Sequence, residues 1–266
     1  MLFLRSDDAE IFYEVRGYGP PVVLLHPFPC DHEFWNPVVA TLESRYRLIL
    51  PDLRGHGASD VGEGPALMQK HASDIARMLD AAGIGKAAFV GCSIGGYVLF
   101  ELWRRFRAQV NALVICDSRP QADTAEARAN RLKAADTVLD QGTEPFLEAM
   151  IPKLMGRTTV GTRPDLIAGA RAMMRLMSAE DISQVQRGMA ERADSVADLK
   201  SINVPTLIVI GEEDMLSTVA DGELMRQNIA GSQLKVIPKA GHYAPWEQPE
   251  AMGTVLRQFL DSVHSK

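Results

Sequence analysis

The sequence predicts an α/β fold: a mostly parallel sheet with helices on both faces and a helical segment inserted into it. Three observations carry that reading. Short continuous apolar runs recur, at residues 21–25, 87–90 and 112–116, as in strands buried on both faces. Amphipathic helical stretches alternate with them, at 67–82 and 97–106. From about residue 119 to 201 the strand pattern stops and only helix signals recur, which divides the chain into an α/β core, 1–118 with 202–266, and a helical cap, 119–201.

The bulk properties agree. A chain of 266 residues, 46% hydrophobic and 23% charged, suits one large core with an insertion better than two equal domains. A formal charge of -6 with no long basic run argues against nucleic acid and anionic membranes as partners. Residues 1–8 turn acidic too soon for a signal peptide, and no stretch approaches the ~20 apolar residues of a membrane span. Cys30, Cys92 and Cys116 are far apart and odd in number, as expected of buried thiols in a reducing compartment. The expectation is a soluble, cytoplasmic protein.

In chain order, residues 11–15 form an early strand that Gly17 to Pro20 ends, and the run 21–25 leads into His26-Pro27-Phe28-Pro29. Prolines carry no N–H, so Phe28 holds the one amide donor among residues 27–29, which suits half of an oxyanion hole and equally a stiff turn. His26, Cys30 and His32 share this loop. Their spacing matches no common zinc site, and no second cluster completes four ligands, so no metal is expected. Phe34, Trp35 and residues 38–42 read as the apolar face of a first helix.

After a strand at 47–50, Asp52-Leu53-Arg54-Gly55-His56-Gly57-Ala58-Ser59 reads as a compact turn, with His56 structural. Gly83-Ile84-Gly85-Lys86 is no phosphate loop, because it precedes its strand and Ala87 stands where Ser or Thr is needed.

The strand 87–90 then runs into Gly91-Cys92-Ser93-Ile94-Gly95-Gly96 and a helix. A serine on so sharp a turn needs neighbours without side chains, and Gly91 and Gly95 flank Ser93 two residues away on either side. The N–H of Ile94, in the first turn of the helix, can face a developing oxyanion.

Within the cap, Gly142 stops one helix, Pro145 and Pro164 sit near the starts of others, and Ser178 to Asp181 resembles a capping box. Met150, Met155, Met173, Met174, Met177 and Met189 lie there, six of twelve methionines. Most of these pack a helix face, while Met150, Met174 and Met177, with His26, are candidates for a substrate pocket. Strands at 205–210 and 233–237 follow, ending near Asp214 and His242, and residues 251–263 have helical spacing.

Ser93, Asp214 and His242 therefore each follow a parallel-type strand, so all three fall at one sheet edge. A serine needs a base, imidazole is the base suited to neutral pH, and a carboxylate holds the imidazole tautomer. Glu213 and Asp117 are rival acids, with Asp214 preferred for its place before the histidine strand.

These pieces together resemble the α/β-hydrolases, along nearly the whole chain from the His26 loop to the region of Pro249. The matching segments are His26 to Pro29, Asp52 to Ser59, the Ser93 turn, Gly211-Glu212-Glu213-Asp214 and Ala240-Gly241-His242. The resemblance implies Ser93 as nucleophile, His242 as base, Asp214 as its partner and the amides of Phe28 and Ile94 as the oxyanion hole, with no cofactor. Pro27 departs from the glycine that the family usually carries after the histidine.

The layout is similar to enol-lactone hydrolases and small carboxylesterases, which implies a small, largely apolar ester or lactone as substrate. Carbon–carbon bond hydrolases, thioesterases and perhydrolases share the serine triad. Some members of the fold are ligand receptors without turnover. An acidic lactone would want a basic partner, for which the cap offers Arg163, Arg171 and Arg175.

Overall fold

Alternation of apolar strands with amphipathic helices builds one eight-stranded sheet in the computed structural model, which describes residues 2–264. The strands are β1 Leu2–Ser6, β2 Ala9–Arg16, β3 Pro21–Leu25, β4 Arg47–Pro51, β5 Ala87–Cys92, β6 Val110–Cys116, β7 Thr206–Gly211 and β8 Gln233–Ile237. They lie in the order β1-β2-β4-β3-β5-β6-β7-β8. β1 and β2 pair antiparallel, β2 meets β4 antiparallel, and every pairing from β4 to β8 is parallel. β1 went unread in the sequence, because four of its five residues stay partly or fully exposed and supply no buried face to recognise.

Every residue of β5 and β7 is buried, so helices must cover both faces of the sheet's centre. In the core these are α1 Asn36–Leu42, α2 Met68–Ala81 and α3 Ile94–Phe106. Five helices follow between β6 and β7: α4 Ala125–Gln141, α5 Thr143–Leu154, α6 Arg157–Thr162, α7 Pro164–Met174 and α8 Ala179–Ala190. The chain then resumes with α9 Val219–Asn228, which the sequence reading missed, α10 Ala244–Glu247 and α11 Pro249–His264.

The helix boundaries have local causes. Gly142 leaves α4 at φ +79, a conformation that costs glycine little. Thr143 is already helical, so Pro145 is the third residue of α5, where its missing N–H is not needed. Ser178 and Asp181 form a reciprocal capping box at α8, with Asp181 N–H donating to Ser178 Oγ at 3.1 Å.

Strand ends set the position of the site. Leu25 of β3 pairs with Gly91, and Cys92 of β5 pairs with Cys116 of β6. The loops after β3, β5, β6 and β7 thus leave the sheet side by side. Among the described residues no helix is long and apolar enough to cross a membrane.

Candidate active site

Ser93 sits between β5 and α3 with φ 54 and ψ -112, a conformation that a non-glycine residue keeps only when its surroundings fix it. Those surroundings leave no room for side chains. A Cβ on Gly91 would stand 2.6 Å from the Gly95 backbone, and one on Gly95 would stand 2.6 Å from the Leu25 carbonyl oxygen. Ser93 N–H donates to the Cys116 carbonyl at 3.0 Å, and Ser118 Oγ donates to the Ser93 carbonyl at 2.8 Å. The serine is 9% exposed.

His242 lies in the loop after β8. Its Nε2 is 2.7 Å from Ser93 Oγ, and its Nδ1 is 2.8 Å from Asp214 Oδ2. The other carboxylate oxygen of Asp214, Oδ1, accepts from Leu216 N–H at 2.7 Å and Ser217 N–H at 3.1 Å. These two bonds fix the carboxylate, so Oδ2 is left for the imidazole.

The rival acids point elsewhere. Glu213 turns toward the cap and accepts from Thr158 N–H at 2.8 Å and Thr158 Oγ1 at 2.6 Å. Asp117 is fully buried and accepts from Gly211 N–H at 2.7 Å, which ties the end of β7 to β6. Burial, and then the nearby Asp214 charge, push its pKa well above the usual carboxylate range.

The two candidate oxyanion donors are placed differently. Ile94 opens α3, where an N–H has no intrahelical acceptor. Phe28 lies in the loop after β3, and His26 governs its orientation. Leu53 N–H donates to His26 Nε2 at 2.9 Å, so the ring proton must sit on Nδ1, which lies 3.0 Å from the Pro27 carbonyl oxygen. Cys30 N–H donates to the same oxygen at 3.0 Å. The Pro27 carbonyl and the Phe28 N–H share one trans peptide plane and point in opposite directions. Holding the carbonyl therefore aims the amide. Burial, reinforced by neighbouring His56, lowers the His26 pKa to about 3, which keeps the ring neutral.

His26, read as a pocket residue, is fully buried behind the loop and does not line the cavity over Ser93. His26, Cys30 and His32 also have three separate partners. Cys30 Sγ donates to the Tyr243 hydroxyl at 3.2 Å, and His32 Nδ1 lies 2.7 Å from Asp52 Oδ1. His56 packs edge-on against His26, with ring centroids 4.8 Å apart.

A cavity of about 80 Å³ opens over Ser93 and His242, with Phe28, Met150, Leu154, Met189 and Leu216 supplying apolar wall and Tyr97, Arg119 and Arg131 supplying polar groups. Met150 therefore lines this cavity. Met174 and Met177 are buried elsewhere in the cap, where packing accounts for them.

The basic groups are also not those the sequence suggested. Arg163, Arg171 and Arg175 pair at the surface with Asp165, Glu148 and Glu144 respectively. Two arginines that line the cavity, Arg131 and Arg119, share one carboxylate, Asp123, at 2.6 and 3.5 Å, and Arg192 meets the same carboxylate at 2.7 Å. One negative charge among three positive ones leaves a net positive cluster beside the cavity. Arg119 Nε makes no hydrogen bond, and Arg192 lies 4.3 Å from the centre of the Tyr97 ring.

A serine–imidazole–carboxylate line at the edge of a mostly parallel sheet defines a class of protein, and the chain belongs to it: it matches the α/β hydrolase fold family across residues 20–249. It is 33% identical over 253 residues to 3-oxoadipate enol-lactonase 1 of Acinetobacter baylyi, covering 92% of this chain and 90% of that protein.

Among solved structures, a thermophilic esterase from Thermogutta terrifontis with malate bound is 38% identical, with a TM-score of 0.94 over 96% of this chain and 94% of that one. The enol-lactonase from Burkholderia xenovorans is 25% identical, with a TM-score of 0.90 over 97% and 99%. The protein is a hydrolase acting on ester bonds.

Proposed function

We propose that the protein cleaves a carboxylic ester or lactone through an acyl-enzyme formed on Ser93. The observation that carries this reading is the continuous line from Asp214 through His242 to Ser93, at 2.8 and 2.7 Å. In it, His242 Nε2 takes the Ser93 proton as Oγ attacks the carbonyl carbon, and Asp214 steadies the resulting imidazolium through Nδ1–H. The oxygen that gains charge meets the N–H groups of Phe28 and Ile94. Collapse expels the alkoxide, which takes the proton from His242. A water, deprotonated by the same imidazole, then attacks the acyl carbon, releases the acid and restores Ser93.

The preferred substrate has an apolar body and one anionic group. The methionine and leucine wall supports the first part, and the net positive cluster around Asp123 supports the second. The malate carried by the Thermogutta esterase, a dicarboxylate, points the same way.

The test is a fluorophosphonate probe with p-nitrophenyl acetate turnover, in wild type and Ser93→Ala. Labelling and turnover are expected in the wild type, with labelling lost and kcat lowered ~10⁴-fold or more in the variant. A folded Ser93→Ala protein at the wild-type rate would overturn the reading. Saturable ligand binding without turnover would instead mark a receptor.

A further inference from the structure

A second cavity, of about 280 Å³, lies on the cap between α4 and α5, lined by Ala134, Thr137, Val138, Pro145 and Phe146 with Lys133 at its polar side. It is larger than the cavity over Ser93, and an aromatic contact joins a residue lining one to a residue lining the other. Phe146 lines the outer cavity, and its ring meets that of Phe28 with centroids 6.1 Å apart at 65°. Phe28 in turn lines the inner cavity. One turn further along the same face of α5, Met150 also lines the inner cavity, so residues 146 and 150 face successive chambers.

We propose that the outer cavity is a second subsite for an apolar chain of medium length on the ester, and that Phe146 is the partition that admits or excludes it. The inference rests on the esterase reading and sets the size of substrate that the site accepts. The inner cavity, about 80 Å³, is under a third of the outer one's volume. A chain too long for it would reach the outer cavity past the Phe28–Phe146 contact, beyond which Val138, Ala134 and Pro145 offer apolar wall.

Phe146 is only partly buried, and it lies four residues after Gly142, where an added Cβ would meet nothing within 4 Å, so the outer cavity is open beside the α4–α5 turn.

The experiment measures kcat/KM for p-nitrophenyl acetate, butyrate, octanoate and dodecanoate in wild type, Phe146→Ala, Phe146→Leu and Thr137→Trp, with thermal melts alongside. The octanoate-to-acetate ratio should rise ~10-fold in Phe146→Ala, less in Phe146→Leu, and fall ~10-fold when Thr137→Trp fills the outer cavity. Ratios unchanged in folded variants would overturn the subsite while leaving the esterase reading intact. Octanoate titrated calorimetrically into wild type and Thr137→Trp reads the cavity without turnover. Binding ~10-fold weaker in the tryptophan variant supports the subsite even if no ester is cleaved, and equal binding counts against it.

Discussion

Two aspartates lie just past the ends of the neighbouring strands β6 and β7, and hydrogen bonds decide between them. Asp214 is fixed by two loop amides with its free oxygen on His242, whereas Asp117 spends an oxygen on Gly211. Asp214→Asn should therefore lower kcat by up to ~10⁴-fold, because the amide admits the wrong imidazole tautomer. Asp117→Asn should cost far less activity and show mainly as a lower melting temperature. Measured kcat beside thermal melts separates the two, and the opposite pattern would reassign the acid.

At this scale the sequence was informative where a glycine adjoins the reactive group, as at Gly91, Gly95 and Gly241. Tyr97 carried a readable signal too, since it lies one helical turn beyond Ser93. Arg131 carried none. Its place at the cavity depends on which face of α4 meets the core, and nothing local distinguishes it from Arg163 or Arg175.

At the scale of elements, the turn between α5 and α6 is stitched to the loop bearing His242. Buried Glu247 accepts from Gly156 N–H and from Gly241 N–H, both at 2.8 Å. The backbones pass so closely that a Cβ on Gly241 would stand 2.2 Å from Gly156 N. Glu247→Ala leaves two buried donors without acceptors and should cost ~2–5 kcal/mol, read by urea denaturation. Glu247→Gln keeps an acceptor oxygen and should cost less. Equal stability of all three proteins would refute the stitch.

Such long-range ties are illegible in sequence, because the partners are 91 residues apart and neither belongs to a periodic pattern. The strands of the sheet centre were legible for the converse reason: burial on both faces imposes an uninterrupted apolar run. Exposed β1 and weakly amphipathic α9 have no such imprint.

For the whole molecule, buried ionisable groups set the response to acid. Burial lowers the pKa of His56, and of His71 well below its ordinary value, as it lowers that of His26 to about 3. The native state keeps these rings neutral while the unfolded chain takes up protons below pH ~6.5, so their contribution to stability is present above that pH and lost as pH falls. Asp117 and Asp31 work in the opposite sense. Burial raises both, Asp31 to about 6 with Asp52 adding to the shift, so the folded state protonates first and their penalty shrinks as pH falls.

The histidine part is best isolated as a difference. His71→Leu should remove one proton of linkage, so its stability relative to wild type should grow by up to ~1.4 kcal/mol per pH unit as pH falls below ~6.5. Urea denaturation of both proteins across that range checks it, and parallel curves would show that His71 does not titrate between the two states.

The spread of the reacting groups along the chain also bears on biosynthesis. Ser93 emerges from the ribosome early, yet Asp214 and His242 lie beyond the whole cap. On the reading of Ser93 as nucleophile, a nascent chain thus carries it without His242, its proposed base. The proposed site stays incomplete until β7 docks on β6 and β8 on β7, so a chain cut before them lacks both Asp214 and His242.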